Sequence, residues 1–369
     1  MITGHATPEG TARFVARFAD LPAGHFREFP GSVRLSTLGL GTYLGSEDDA
    51  TDALYERAAA RALARGVNVV DSAINYRHQR SERALGAAIA GLVARGALAR
   101  DEVFVATKGG FIPFDRQVPA DAGAYFTATY LRSGVVRPGD VVAGAHCMTP
   151  AYLKDQIERS RANLGLETVD LYYLHNPETQ LDEIDRPAFL DRIRAAFAAL
   201  EEAVAAGAIA AYGTATWTGY RQEPSATGYL SLPELTDLAH EVAGDDHHLR
   251  AIQLPYNLAM PEAFVLANQK FSDGLVPTLE AARRLGVYVM ASASVYQGQL
   301  TRRLPAMVAD VLPGLDTDAQ RAIQFVRSTP GIGTALVGMK SLDHVEENAR
   351  VARVPPVPWE QFQRFFAPA

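Results

Sequence analysis

Short apolar segments alternate along the chain with longer, alanine-rich amphipathic segments. Segments such as VFVAT and VYVMA are apolar at consecutive positions, which is typical of parallel strands buried on both faces. The longer segments carry apolar residues at helical spacing, and those over 48–66 and 81–96 end at glycines, as many helices do. This alternation of strand and helix predicts a parallel sheet covered by helices.

Eight such units follow one another. The predicted strands cover residues 34–42, 67–71, 102–108, 169–175, 208–216, 250–256, 286–292 and 333–338. The predicted helices cover residues 48–66, 81–96, 149–165, 189–206, 232–244, 278–285, 316–328 and 342–349. Eight units without a glycine-rich GxGxxG turn after the first strand favour a closed (β/α)8 TIM barrel over an open doubly wound sheet. With no linker, we expect a single domain over residues 1–369, its core at about 30–350.

Two segments exceed a minimal barrel. Residues 24–34 predict an N-terminal β-hairpin that turns at Pro30-Gly31 and closes the bottom of the barrel. Residues 111–148 form a long insertion after the third strand, rich in proline, glycine and aromatic residues. Loops of this length are often lids or binding loops, and this one follows a strand end, on the side where barrels of this type carry their sites.

Composition narrows the class of protein. The 369 residues are 48% hydrophobic and carry a net charge of -7, so neither a nucleic acid nor an anionic membrane surface is an expected partner. No apolar run reaches the roughly 18 residues of a membrane span. The single cysteine, Cys147, excludes an intrachain disulfide, and the N-terminal residues lack the apolar core of a secretory signal. Together these features predict a cytoplasmic location.

Polar residues follow the predicted strands where each one ends. Asp71 ends the second strand, with Tyr76 just beyond it, Lys108 ends the third, and His175 ends the fourth. Gln253 lies in the sixth strand. Because the strand ends of a barrel meet at one mouth, we expect these groups to lie together. Each alone is compatible with capping or packing, but four complementary titratable groups indicate a site.

The set suits reduction of a carbonyl. We expect Asp71 to pair with Lys108, and the lysine ammonium to lower the pKa of the Tyr76 phenol from its usual value near 10. His175 can orient a carbonyl oxygen while Tyr76 donates a proton to it. The carbonyl carbon must then receive hydride, which requires a nicotinamide or flavin because no side chain supplies it.

The chain resembles the aldo-keto reductase family. The similar segments occur in the family's order and are GLGTY (39–43), VVDSAINY (69–76), VATKGG (105–110), DLYYLHNP (170–177), QLPYN (253–257) and GMKSLDHVEEN (338–348). The resemblance implies a catalytic tetrad of Asp71, Tyr76, Lys108 and His175, with Tyr76 as general acid. It also implies NADP(H), less often NAD(H), as the cofactor.

The same resemblance implies the residues that hold the cofactor. Gln253 and Asp71 would face the nicotinamide, Gly41 and Thr42 its ribose, and Glu347 and Asn348 the adenine. Other positions depart from the family. Ala215-Thr216 replaces a Ser-Asn pair, Ser292 replaces a stacking tyrosine, and Gly338 and His344 replace the basic residues that bind a 2′-phosphate. The further candidates for the altered cradle are Gln297, Lys340 and Ser341.

The expected substrate is a small carbonyl compound or its alcohol. Tyr43, Phe111, His175, Trp217 and Tyr256 are the candidate lining residues. These side chains suit a sugar, an aliphatic aldehyde, an aromatic ketone or a secondary metabolite equally.

Other functions stay open at this point. Lys108 could form a Schiff base, although pairing with Asp71 would keep it protonated. The altered cradle could serve a non-redox lyase, an isomerase or a cofactor-sensing protein on the same barrel. No metal site is predicted, because His146-Cys147 and His247-His248 are adjacent pairs without ligand spacing.

Overall fold

The fold is described from a computed structural model, which describes residues 1–367. The strands are β1 (Phe26–Phe29), β2 (Val33–Ser36), β3 (Leu38–Gly41), β4 (Val69–Asp71), β5 (Phe104–Gly109), β6 (Leu171–His175), β7 (Tyr212–Ala215), β8 (Leu249–Pro255), β9 (Ala267–Phe271), β10 (Gly274–Pro277), β11 (Tyr288–Ser292) and β12 (Thr334–Gly338). The α-helices are α1 (Pro8–Ala16), α2 (Asp49–Leu63), α3 (Arg80–Ala94), α4 (Ala122–Phe126), α5 (Pro150–Leu164), α6 (Arg186–Ala205), α7 (Leu232–Ala243), α8 (Glu262–Val265), α9 (Thr278–Arg284), α10 (Ala306–Val311), α11 (Asp318–Ser328), α12 (Leu342–Ala349) and α13 (Trp359–Phe362).

Eight parallel strands close into a barrel in the order β3-β4-β5-β6-β7-β8-β11-β12. This confirms the predicted (β/α)8 TIM barrel and its eight strands. The strand predicted over 34–42 is divided at Thr37. Its first part, β2, pairs antiparallel with β1, and its second part, β3, pairs parallel with β4 and β12. The chain therefore changes partners at Thr37, whose N–H bonds the His25 carbonyl instead of a barrel strand.

The N-terminal hairpin β1–β2 covers the end of the barrel where the strands begin, which we call the floor. Its turn holds Pro30 and Gly31, as predicted. Phe29 is buried, and its ring lies 5.0 Å from that of Phe104 and 5.3 Å from that of Tyr288. These two partners are the first residues of β5 and β11, so the hairpin closes the barrel from below.

Tyrosines fill the barrel interior at positions where a neighbouring strand has only glycine. An added Cβ on Gly213 would lie 2.9 Å from the Tyr173 ring and 2.1 Å from the Ala251 carbonyl oxygen. An added Cβ on Gly333 would lie 2.1–2.5 Å from ring atoms of Tyr288. Any larger residue than glycine would therefore collide with the tyrosine that occupies the space.

The floor also holds a buried and a half-buried arginine, Arg327 and Arg27, without a carboxylate partner. Arg327 donates to Thr37 Oγ1 at 2.9 Å, to Gln324 Oε1 at 2.7 Å and to the Val351 carbonyl at 2.6 Å. Arg27 donates to the carbonyls of Ile332 and Arg327. Within residues 1–367 no carboxylate forms an ion pair with either arginine. Burial lowers the pKa of Arg327 to about 9.

Sequence patterns missed several elements outside the barrel. The helix α1 precedes the hairpin, and β9–β10 form a second hairpin between β8 and α9. The insertion contains α4 and a five-residue π-helix, Thr127–Leu131. Its Tyr130, Val136 and Cys147 form an apolar cluster with Tyr152 of α5. The insertion is therefore a packed part of the fold.

Candidate active site

A buried ion pair occupies the mouth of the barrel, where β4, β5 and β8 end. Lys108 Nζ lies 2.5 Å from Asp71 Oδ1 and donates to the Ser72 carbonyl at 2.7 Å. Gln253 Nε2 donates to the second carboxylate oxygen, Asp71 Oδ2, at 2.9 Å. Burial raises the pKa of Asp71 and lowers that of Lys108, while each charge opposes the shift in the other. Both oxygens of the carboxylate are thus engaged, and the lysine is fixed in place.

Tyr76 lies beside this pair, in the turn that follows β4. The Lys108 Nζ atom lies 5.0 Å from the centre of its ring, and the ring packs edge-on against Tyr43 at 5.0 Å and His175 at 5.8 Å. Burial, followed by the charge of Asp71, raises the pKa of Tyr76 well above 10. The net shift is therefore opposite to the expected lowering by Lys108, because burial of the phenol and the charge of Asp71 outweigh the ammonium.

The backbone after Tyr76 is strained. Arg77, His78 and Gln79 have φ angles of 49°, 53° and 70°, and this left-handed conformation costs about 1–2 kcal/mol for each non-glycine residue. The Arg77 side chain offsets part of this cost. Its Nε donates to the Ser46 carbonyl at 2.8 Å, and its guanidinium pairs with Asp52 of α2. The turn is held in place by contacts with neighbouring segments.

His175, the last residue of β6, is the second group that faces Tyr76. Burial and the charge of Lys108 lower the pKa of His175 well below 6.5, so the imidazole is neutral at physiological pH. Its Nδ1 atom is buried and has no hydrogen-bond partner among residues 1–367. The Phe111 ring packs edge-on against it at 5.2 Å. A neutral imidazole in this position can bind a carbonyl oxygen without adding charge.

Two of the predicted cofactor-binding residues present buried polar atoms that lack partners. Thr216 follows β7, and its N–H donates to the Gln253 carbonyl at 2.8 Å, but its hydroxyl has no partner in the described chain. Asn348, in α12, likewise leaves Oδ1 buried and unpartnered within residues 1–367. Buried polar atoms normally have partners, so both atoms have a free hydrogen-bonding site that a ligand could fill. The space beside Gly338 is open, as a cradle requires.

The other cofactor candidates differ in how much of each side chain is free. The Thr42 hydroxyl is engaged, since it donates to the Asp71 carbonyl at 3.1 Å. Ser341 caps α12 by accepting from the His344 N–H at 3.2 Å. The candidates with exposed or half-buried side chains or backbone near these strand ends are Gly41, Ser292, Gln297, Lys340, His344 and Glu347.

The structure brings four of the five substrate candidates to the mouth. Phe111 and His175 contact each other, Tyr43 contacts Tyr76 with 56% of its surface exposed, and Trp217 is 42% exposed after β7. Tyr256 is not brought there. It is fully buried, and its ring stacks on that of Phe325 at 5.6 Å, between β8 and α11. We correct its assignment from substrate contact to packing, because the side chain points away from the barrel axis.

Sequence patterns missed residues that hold the site in place. Glu178 Oε1 accepts the N–H groups of Trp217 at 2.8 Å and Thr218 at 3.1 Å, which fixes the loop after β7. His146 Nε2 donates to the His175 carbonyl at 2.7 Å. The only sequence feature at His146 is its neighbour Cys147, a pair that lacks the spacing of metal ligands and predicts no role. These residues act through backbone contacts that residue spacing does not encode.

Residues 1–367 contain neither a membrane-spanning helix nor a cluster of metal ligands. None of their helices has the length and apolar character needed to cross a membrane. The same residues contain no group of three or more histidine, cysteine, aspartate or glutamate side chains arranged to hold a metal ion.

Comparison with known proteins gives a consistent result. Residues 37–306, most of the chain, match the model of the Aldo/keto reductase family. A 6-dehydroglucose reductase of Novosphingobium aromaticivorans is 24% identical over 91% of this chain and 93% of its own. An aldo-keto reductase of Bacillus halodurans, in its holo form, superposes with a TM-score of 0.62 at 20% identity, over 92% of this chain and 95% of its own. An aldo/keto reductase of Klebsiella pneumoniae, in complex with NADP and acetate, superposes with a TM-score of 0.61 at 20% identity, over 94% of this chain and 96% of its own.

Proposed function

The chain belongs to the aldo/keto reductase family, and from this premise we propose that it is an NADP(H)-dependent oxidoreductase that interconverts a carbonyl and an alcohol. The observation that carries the proposal is the buried Asp71–Lys108–Gln253 network beside Tyr76 and His175. The network holds a fixed ammonium and carboxylate beside a buried phenol and a neutral imidazole, an arrangement that suits general acid catalysis.

Tyr76 is the proposed proton donor. Because burial raises its pKa, the phenol stays protonated at physiological pH and can donate to an oxygen that gains negative charge. The ammonium of Lys108, over the ring face, stabilises the phenolate that is left, and Asp71 holds that ammonium in place. Neutral His175 is the proposed group that orients the carbonyl oxygen.

The proposed cofactor is NADP(H), which supplies the hydride when it is bound. Thr216 and Gln253 would hold the nicotinamide, and Asn348 the adenine. The unpartnered atoms of Thr216 and Asn348 support this placement. The NADP complex of the similar Klebsiella pneumoniae reductase supports the choice of nucleotide. Lys340 and His344, which are both exposed, are the proposed contacts of the 2′-phosphate.

The proposed substrate is the carbonyl form of a sugar. The 6-dehydroglucose reductase that resembles this chain supports a sugar aldehyde. The exposed rings of Tyr43 and Trp217 support it too, because aromatic faces stack on the apolar C–H faces of sugars. A substrate of this size would lie between these rings, with its carbonyl toward Tyr76.

A nucleotide titration combined with a turnover assay tests the proposal. The purified protein is titrated with NADPH and with NADH by fluorescence, and NADPH oxidation is then followed with 6-dehydroglucose and with a simple aliphatic aldehyde. We expect tighter binding of NADPH and faster turnover of the sugar aldehyde. Tight NADPH binding without turnover of any carbonyl would instead favour a cofactor-sensing protein. Failure to bind either nucleotide would overturn the oxidoreductase proposal.

A further inference from the structure

The insertion, residues 111–148, contacts the backbone on both sides of the site. We propose that it braces Tyr76 against His175 and that Gln79 and His146 are positioning residues for carbonyl reduction. This inference rests on the proposed function, but its structural part can be tested without it. Gln79 lies in the turn after Tyr76 and bonds the insertion, whereas His146 lies in the insertion and bonds the backbone of His175.

The first contact is with the left-handed turn after Tyr76. Gln79 is buried, and its Nε2 donates to the Phe114 carbonyl at 2.9 Å. In return, the Arg116 N–H donates to the His78 carbonyl at 2.9 Å. Two hydrogen bonds thus fasten the start of the insertion to the residues directly after Tyr76. Because this turn is strained, it depends on such contacts to keep its conformation.

The second contact is with the end of β6. His146 is buried, and its Nε2 donates to the His175 carbonyl at 2.7 Å. Gln180 Nε2 donates to His146 Nδ1 at 2.8 Å, so the proton of the neutral imidazole must reside on Nε2. The Phe111 ring packs edge-on against His146 at 5.1 Å and against His175 at 5.2 Å. Both ends of the insertion therefore hold His175, His146 by its backbone and Phe111 by its ring.

The two ends of the insertion are tied to each other. The Ile112 N–H donates to the Ala145 carbonyl at 2.8 Å, and the Cys147 N–H donates to the Gly110 carbonyl at 2.8 Å. Tyr130, in the apolar cluster of the insertion, donates from its hydroxyl to the Pro113 carbonyl at 3.0 Å. These bonds fix the distance between the Gln79 contact and the His146 contact.

The consequence is a geometric constraint on the reaction. Tyr76 and His175 belong to loops after different strands, and their ring centres are 5.8 Å apart. Both must reach the same carbonyl oxygen, so their separation has to be maintained to a fraction of an ångström. A rigid segment that is hydrogen-bonded to both backbones maintains this separation. The insertion therefore has a role in the rate of the reaction as well as in selectivity.

Replacement of His146 by glutamine and by leucine tests the brace. Glutamine keeps an N–H donor near the position of Nε2, whereas leucine removes the donor and keeps similar bulk. We expect H146L to lower kcat by about 10-fold to 100-fold, with the NADPH dissociation constant unchanged, and H146Q to recover most of the loss. The matched control is S133A, in the same insertion, where an exposed hydroxyl bonds only the Thr129 and Tyr130 carbonyls.

Hydrogen–deuterium exchange of the free protein separates the brace from the reaction. Residues 72–80 and 174–178 should exchange faster in H146L than in wild type, and at the wild-type rate in H146Q and S133A. Equal loss of kcat in H146Q and H146L, with unchanged exchange, would overturn the brace. Absence of turnover in the wild type would overturn the proposed function instead, and the exchange data would still decide on the brace. Should H146L fail to fold, Q79M measured in the same ways takes its place.

Discussion

The mouth and the floor of the barrel both bury a cation, and they stabilise it in different ways. At the mouth, Lys108 is paired with the carboxylate of Asp71. At the floor, Arg327 is surrounded by neutral oxygen atoms from a hydroxyl, an amide and backbone carbonyls. Carbonyl dipoles are enough to keep a structural cation in place, so the charged partner at the mouth needs a different explanation.

The difference extends to polar atoms without partners. No buried side-chain nitrogen of His25, Arg27 or Arg327 at the floor is left unpartnered. At the mouth, buried atoms of His175 and Thr216 lack partners within the described chain. Burial of a charge therefore does not identify a site by itself. The mouth is distinguished by the combination of a buried ion pair, a buried phenol and free polar atoms at the ends of neighbouring strands.

Loss of the proton donor should have the largest effect. In Y76F the ring still packs against Tyr43, but no proton can be donated, so we expect kcat to fall by about 10²–10⁴-fold. The NADPH dissociation constant and the unfolding midpoint should stay at wild-type values. Steady-state kinetics measures kcat, fluorescence titration measures the dissociation constant, and urea denaturation measures the unfolding midpoint. A Y76F protein with more than a tenth of wild-type kcat would exclude Tyr76 as the donor.

Removal of each buried cation tests the comparison directly. K108M leaves Asp71 buried without its partner, which should cost about 3–5 kcal/mol of unfolding free energy and abolish turnover. R327M leaves carbonyl and amide oxygens without a donor and should cost about 3 kcal/mol. The kcat/KM of its folded fraction should equal that of wild type. Urea denaturation measures the unfolding free energy of the two variants, and steady-state kinetics measures their turnover. Loss of turnover in folded R327M would contradict the assignment of a structural role to the floor cation and a catalytic role to the mouth cation.

Acid should destabilise both regions. Burial lowers the pKa of His25 at the floor and of His146 at the mouth from 6.5 to about 4. Between pH 6.5 and about pH 4 these imidazoles bind protons in the unfolded chain but not in the folded chain. The free energy of unfolding therefore falls as the pH falls. From pH 7 to pH 5 the loss is about 2 kcal/mol per histidine.

Glutamine variants isolate this effect. Urea denaturation at the two pH values should show the loss reduced by about 2 kcal/mol in H25Q and again in H146Q. The comparison with wild type is necessary because burial raises the pKa of Glu82 and Glu178, which acts in the opposite direction. An equal pH dependence in wild type and both variants would show that the imidazoles are not the cause.

The smallest expected effect concerns the free hydroxyl of Thr216. In T216V a methyl group of similar size replaces an atom that has no partner, so the unfolding free energy should stay the same or rise slightly. NADPH should bind about 3-fold to 10-fold more weakly, as expected for the loss of one hydrogen bond. Calorimetry and fluorescence titration measure the two quantities. Unchanged NADPH affinity would remove Thr216 from the cofactor site.

The barrel and its reacting groups could be predicted because they depend on local patterns. Consecutive apolar residues specify strands buried on both faces, and a strand end specifies where Asp71, Lys108 and His175 lie. The direction of Tyr256 could not be predicted, since a residue just beyond a strand can turn toward either layer. The pKa of Tyr76 was also missed, because it depends on desolvation, which a sequence does not display. The role of His146 could not be predicted, because its partner is a backbone carbonyl. Every residue carries this group, so the sequence does not single out the one that His146 bonds.

The tyrosines inside the barrel have a consequence for how this sequence can change over generations. Tyr288 lies against Gly333, so this glycine cannot become alanine while the tyrosine remains. The tyrosine must shrink first, through an intermediate that carries a cavity and is less stable. Gly213 is more restricted, because an added Cβ would lie 2.1 Å from the Ala251 carbonyl oxygen whether or not Tyr173 changes. The order of substitutions is thereby restricted at Tyr288 and Gly333, and position 213 should remain glycine.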